Sequence, residues 1–232
     1  GPVNGSYTVT YTALVAGTVN FTVALAGETV ATVSRTIVGA AVRAANSTLT
    51  GATSVIAGAA VELTVQLRDE FGNAAVGASA RVALSDAAGL PIAIPAGRRS
   101  IVVAMSAPLT TSGEHLLYAS FDGSPIQGSP LTVVVSAGPT RPTLSTAAVP
   151  AAFVAGRTST VVVRTRDEYG NLQITDSSNV RLVAVGPENV TTSDYAVRES
   201  VADGRFNLGY TLTVSGAYET TVYVNGEPVA TE

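Results

Sequence analysis

Two pairs of adjacent carboxylates, Asp69-Glu70 and Asp167-Glu168, sit in nearly identical hexamers, RDEFGN from Arg68 to Asn73 and RDEYGN from Arg166 to Asn171, 98 residues apart. Carboxylates repeated in a fixed setting are the raw material of a cation site or of acid–base chemistry. Calcium, however, takes six to eight oxygens, and neither loop has the alternating acidic spacing that supplies them. Adjacent side chains in a strand-like segment also point to opposite faces, so the two carboxylates of each pair diverge. Turn chemistry accounts for the same residues more directly. Asp69, Asn73, Asp167 and Asn171 are types that hydrogen-bond nearby backbone, and Gly72 and Gly170 supply positive φ. The hexamer is therefore read as a structural turn, with Phe71 or Tyr169 expected to pin it against the end of the core.

Other catalytic chemistry has little to stand on. His115 is the single histidine; its place after a hairpin glycine is held by Val19 and Tyr218 in the other copies of the repeat described below, which reads as packing. One histidine also builds no multi-histidine metal site. Cysteine is absent, which excludes a disulfide framework, a thiolate metal site and a cysteine nucleophile. All 13 basic residues are arginine, so a phosphate-binding G-x-x-x-x-G-K-[ST] loop is ruled out, and no G-x-S-x-G elbow occurs. A carboxylate pair assembled by folding stays open. The chain is expected to be no enzyme and to need no cofactor or metal. A net charge of −4 gives no extended basic surface, so nucleic acid is not an expected partner. No run reaches the roughly 18 to 20 apolar residues of a membrane helix, so direct membrane insertion is not expected, and the start GPVNGSYTVTYT lacks the regions of a signal peptide.

The elements that must carry the hexamers are strands. Segments rich in Val, Thr, Ile, Leu and Tyr alternate with Gly, Asn, Asp and Pro punctuation, the pattern of an all-β sandwich or barrel. In GSYTVTYT, Tyr7, Val9 and Tyr11 share one face; in GTVNFTVALAG, Val19, Phe21, Val23 and Leu25 do so. The pair recurs as Ile101, Val103 and Met105 with Leu117 and Phe121, and as Phe206, Leu208 and Tyr210 with Tyr218, Val222 and Val224. Gly17, Gly113 and Gly216 are spaced by 96 and 103 residues, and Gly27, Gly123 and Gly226 keep both intervals. A period of about 100 residues is the size of a self-sufficient sandwich. In register, residues 1–38 form the C-terminal part of one repeat, 39–137 a complete repeat, and 138–232 a repeat lacking its last strand. The chain is thus expected to be part of a longer protein, with the short joins TIVGAAVRAANST and SAGPTRPTLST restricting how neighbours tumble.

Four motifs in order carry a resemblance: RDEFGN, GSYTVTYT, SGEHLLYASFDG and DGSPIQGSPLTVVV (Asp122 to Val135), with VNGEPVATE as a partial counterpart. Each repeat resembles the filamin-type immunoglobulin-like repeat, with adhesins of the invasin type as a competing ancestry because they use a similar D-x-x-G-N turn. Repeat two departs from the filamin pattern in RRSIVVAM, and repeat three lacks Gly-Ser-Pro. The expected fold is all-β, tandem immunoglobulin-like antiparallel β-sandwiches of filamin type. The resemblance implies a non-enzymatic spacer and docking role for protein partners, either copies of the chain or other structural proteins. It also implies a strand-addition edge at Ser79, Arg81, Ala83 and Ser85 and at Asn179, Arg181 and Val183, where a proline at Ala83 is expected to abolish capture without unfolding. An edge merely shielded by Arg81 or Arg181 is the rival reading. Asn4, Asn20, Asn46 and Asn189 lie in Asn-x-Ser/Thr triplets. With the Thr-rich outward faces they favour an extracellular or cell-surface location, with a cytoskeletal or ciliary scaffold as the alternative and an enzyme's accessory module third.

Overall fold

The computed structural model describes residues 8–75, 81–89, 91, 100–105, 107–174, 178–192, 196–200 and 204–231. Asn4, Tyr7 and Ser79 therefore lie outside the described residues. Cα proximity divides the chain into two compact units: residues 1–53, 60–107 and 115–133 form one, and residues 54–59, 108–114 and 134–232 the other.

The chain begins with a hairpin, β1 (Gly17–Leu25) and β2 (Glu28–Ile37), paired antiparallel. Next come β3 (Thr48–Gly51), β4 (Ser54–Ile56), β5 (Glu62–Gln66), β6 (Val82–Ser85), β7 (Ser100–Ala104), β8 (Gly113–Phe121), β9 (Ser124–Pro125) and β10 (Leu131–Ser136). They make two sheets, ordered β3-β5-β7 and β4-β10-β8-β6 with β9 on β8. Alternation explains the packing. In β5, Leu63 and Val65 are fully buried while Glu62 is exposed, and Ile101 and Val103 of β7 point the same way, as do Val82 and Leu84 of β6. Fully burying such a side chain contributes about 1.5–3 kcal/mol.

The same plan follows again: β11 (Thr146–Ala148), β12 (Thr158–Arg164), β13 (Val180–Val185), β14 (Val190–Thr192), β15 (Ala196–Ser200), β16 (Arg205–Thr211), β17 (Glu219–Val224), β18 (Glu227–Pro228) and β19 (Ala230–Thr231). Its sheets run β15-β16-β12-β11-β19 and β14-β13-β17-β18. Val161 and Val163 from β12, Leu182 from β13, Leu208 from β16 and Val222 and Val224 from β17 share one core. Even a bridge repeats: Thr48 pairs parallel with Gln127, and Thr146 pairs parallel with Ala230.

Three expectations change. GSYTVTYT is not a ladder strand in its described part, and Val9 and Tyr11 are exposed, because the described residues 8–38 hold no counterpart of β5 or β12 for it to pair with. For the same reason β1 keeps its period but leaves Val23 and Leu25 exposed. The edge expected at Asn179, Arg181 and Val183 is occupied: β14 pairs along Leu182–Ala184 while β17 holds the other side of β13. A strand there needs no charge to shield it, since its ladder is already filled. Of the two expected edges, β6, carrying Ala83 and Ser85, stands at the end of its sheet among the described residues, with Ser85 bridged to Pro91.

Candidate functional site

The hexamers follow β5 and β12, where the chain leaves a buried strand through a tight turn. Asp69 and Asp167 are completely buried, whereas Glu70 and Glu168 beside them are exposed, so the two carboxylates of each pair do diverge. Asp69 Oδ1 accepts the backbone N–H groups of Phe71 at 2.9 Å and Asn73 at 2.8 Å. Its Oδ2 accepts Ala40 N–H at 2.8 Å and Asn73 Nδ2 at 2.9 Å. Asp167 repeats the set with Tyr169, Asn171, Gly138 and Asn171 Nδ2, at 2.8–2.9 Å. Gly72 and Gly170 take φ of 82° and 83°, the left-handed geometry that closes the turn.

Four donors fill the lone-pair directions of each carboxylate. Burial pushes each carboxyl up, but the Asn side chain and three backbone N–H groups outweigh it and hold both Asp69 and Asp167 below the ordinary value of 3.8. A carboxylate so committed is a poor proton acceptor and has no oxygen turned outward for a cation. Its chemistry is structural: it orients the turn and ties it to residue 40 or 138.

The asparagines reach further. Asn73 donates from Nδ2 to Leu14 O and accepts Ala16 N–H on Oδ1, both at 2.8 Å. Asn171 donates to Thr110 O at 2.7 Å and accepts Ser112 N–H at 2.9 Å. Each hexamer thus clasps the loop that precedes a glycine-led strand, Gly17 in one case and Gly113 in the other. All partners of Asn73 belong to the first compact unit and all partners of Asn171 to the second. Sequence reasoning found the turn but not this reach of 57 to 61 residues.

Two further residues complete the clasp and went unnoticed in the sequence. Ser47 Oγ donates to Arg43 O and accepts Arg68 N–H; Ser145 Oγ does the same between Arg141 O and Arg166 N–H. Both serines are fully buried, behind 3-10 turns at Ala44–Asn46 and Pro142–Leu144. The signal was a Ser-Thr pair 21 residues before each Arg-Asp. Arg68 and Arg166 donate to the carbonyls of Gly72 and Gly170, at 2.7 and 2.6 Å, and brace the loop from outside.

The aromatic tip is not where turn chemistry put it. Phe71 and Tyr169 are 49% and 43% exposed rather than pinned on the core. Tyr169 lies over Gly58 instead, its hydroxyl 2.2 Å from where a Cβ on that glycine would stand. The ion pairs Arg43–Glu70 and Arg141–Glu168, at 3.9 Å between exposed partners, add little. At the edge strand, Arg81 pairs with Asp122 and lies 5.0 Å from the Phe121 ring; Arg181 lies 4.5 Å from the Tyr223 ring. Asn20 is exposed and accepts Ser34 Oγ, Asn189 is exposed, and Asn46 is half-buried against Glu70 O. His115 is half-buried on β8.

Comparison by sequence finds no matching family model and no matching curated protein. Among solved structures, the Escherichia coli adhesin FdeC matches with a TM-score of 0.62 and 22% identity, covering 94% of this chain and 74% of that one. Invasin, a bacterial integrin-binding protein, matches with a TM-score of 0.59 and 19% identity, covering 90% of this chain and 42% of that one. The fold is a tandem array of immunoglobulin-like β-sandwiches. The Lin-41 filamin domain also matches, over 43% of this chain with a TM-score of 0.34. The Ig-like part of the expected resemblance therefore stands at the level of the fold, while these matches do not single out the filamin type. This chain spans less than half of the invasin chain.

Proposed function

We propose that the chain is a non-enzymatic structural segment of a larger multi-repeat surface protein, with residues 1–38 the C-terminal part of one Ig-like repeat, 39–137 a complete repeat and 138–232 a repeat lacking its last strand. It acts as a spacer that carries lateral contacts in adhesion. The observation that carries this reading is the clasp: the Arg, Asp and Asn of each hexamer, twice over, spend their polar groups on fastening one stretch of chain to another. Loops that serve catalysis or ligand binding leave such groups open. The adhesin neighbours support an invasin-like over a filamin-like ancestry, and with it a location outside the cell. Partners are then other proteins, reached through strand faces and edges.

The test is location and occupancy of the parent protein in its native source. Antibody raised against this segment should stain intact cells. Staining only after permeabilisation would favour the cytoskeletal or ciliary scaffold instead. Peptide-level mass spectrometry over Asn20, Asn46 and Asn189 adds an independent readout, since glycan mass at any of them requires passage through a glycosylating export route.

A further inference from the structure

The two clasped loops have a third counterpart. Three residues before each hairpin glycine stand Leu14, Thr110 and Thr213, and one residue before it stand Ala16, Ser112 and Ser215. In the first two copies the carbonyl at the earlier position and the N–H at the later one hold an asparagine side chain. Among the described residues, Thr213 O and Ser215 N–H hold none.

The backbone around them is nevertheless built in the same way. Gly58 N–H donates to Leu109 O at 2.9 Å, and Gly156 N–H donates to Leu212 O at 2.8 Å, with the two glycines at φ of 83° and 78°. Gly58 is covered by the ring of Tyr169, whereas a Cβ placed on Gly156 meets nothing within 4 Å. An open cleft of about 450 Å³ begins at the chain neighbour of Gly156, Ala155, with Phe153, Leu212, Val214, Ser215 and Tyr218 also on its walls. Val214 and Val154 are 45% and 63% exposed beside it. Tyr218 donates its hydroxyl to Val214 O, and Thr213 and Val214 donate their N–H groups to Glu188, so the loop is held in shape while Thr213 O and Ser215 N–H stay open.

We propose that Gly156 and Thr213–Gly216 form a third seat, which takes the aromatic-Gly-Asn tip of an RDE(F/Y)GN loop carried by a further Ig-like repeat. The aromatic ring would cover Gly156, and the asparagine would donate to Thr213 O and accept from Ser215 N–H, as at the filled seat. A second copy of this chain is the weaker occupant, because both of its own hexamer asparagines are already engaged. The inference rests on the multi-repeat reading and specifies how repeats of this kind join.

The probe is a disulfide-closed peptide, Cys-Arg-Asp-Glu-Tyr-Gly-Asn-Leu-Cys, which copies Arg166–Leu172, a loop whose ends already form a bridge. It is titrated into the isotope-labelled full chain to about 5 mM, the range of a weak isolated loop. Amide shifts centred on Gly156 and Ser215, slower exchange of the Ser215 amide, and at least tenfold weaker binding of the Asn→Ala peptide are expected. Equal effects of the Ala peptide, no shift at either residue, or a Ser215 amide already as protected as Ser112 in the free chain would overturn the seat. Concentration-dependent self-association with shifts at Ser215 would overturn the assigned occupant in favour of a second copy. None of these outcomes bears on whether the parent protein is displayed on cells, so the two readings fail separately.

Discussion

Asp69 and Asp167 show how a residue that looks reactive becomes structural. The folded carboxyls lie below their ordinary 3.8, so they contribute stability that is present above that value and is lost as pH falls through the folded value. Thermal unfolding of the Asp69→Asn, Asp167→Asn double variant should therefore lie below that of the parent at pH 7. The gap should narrow as pH falls below the ordinary value of 3.8 and the parent carboxyls protonate. The substituted amide turns a donor toward Ala40 or Gly138 N–H, which explains the deficit at neutral pH. A gap that stays undiminished down to the acid unfolding of the parent would show that the carboxylate charge is not what the clasp uses. Tyr210 offers the opposite case. Burial pushes its hydroxyl up to about 12, and that hydroxyl has no hydrogen-bond partner among the described residues, while its ring meets Phe153 edge-on at 5.1 Å. Tyr210→Phe keeps the ring contact and removes the unsatisfied group, so a gain of about 1 kcal/mol, or about 2–4 °C in Tm, is expected by calorimetry.

At the level of elements, what was legible was whatever depends on near neighbours in the chain. Period-two alternation placed Ile101, Val103, Leu117, Phe206, Leu208 and Val222 in the core, where all are buried. The turns after β1, β8 and β17 are Ala26-Gly27, Asp122-Gly123 and Asn225-Gly226, with positive φ at both positions, as two-residue hairpins of this twist require. What was not legible depends on partners far along the chain: that β14 covers β13, that the described part of GSYTVTYT has no ladder, and that Asn73 and Asn171 bind distant loops as well as their own turn. The edge strand β6 makes the point in one residue. Asp122 N–H donates to Arg81 O, and the register pairs Ala83 with Ser120, so by alternation the Ala83 N–H points into the β8 ladder and not toward the open edge. Ala83→Pro should therefore damage the sheet itself, contrary to the expectation from sequence, costing about 2–4 kcal/mol in denaturant unfolding. An unchanged midpoint would mean that the edge lies on the other parity.

Across the whole molecule, apolar burial is unevenly distributed. β5 and β12 bury valines and leucines completely, whereas β1 and β2 leave nearly every side chain exposed, and the hairpin has no apolar core of its own. Its surroundings are tied instead through polar bonds: Leu14 and Ala16 to Asn73, and Ala40 to Asp69. Regions with few buried apolar contacts open at low free energy. Amides of β1 and β2 should thus exchange hydrogen at least about a hundredfold faster than those of β5. Removing the tie should expose the dependence: Asn73→Ala is expected to speed exchange at Ala16 and along β1 by about tenfold, the effect of roughly 1.4 kcal/mol, by stranding a donor and an acceptor. The equivalent Asn171→Ala should act at Ser112 and leave β1 untouched, because the two clasps share no residue and belong to different compact units. If Asn73→Ala instead accelerated exchange equally in β12, the clasps would be coupled through the chain, and the independence of the two units would have to be abandoned.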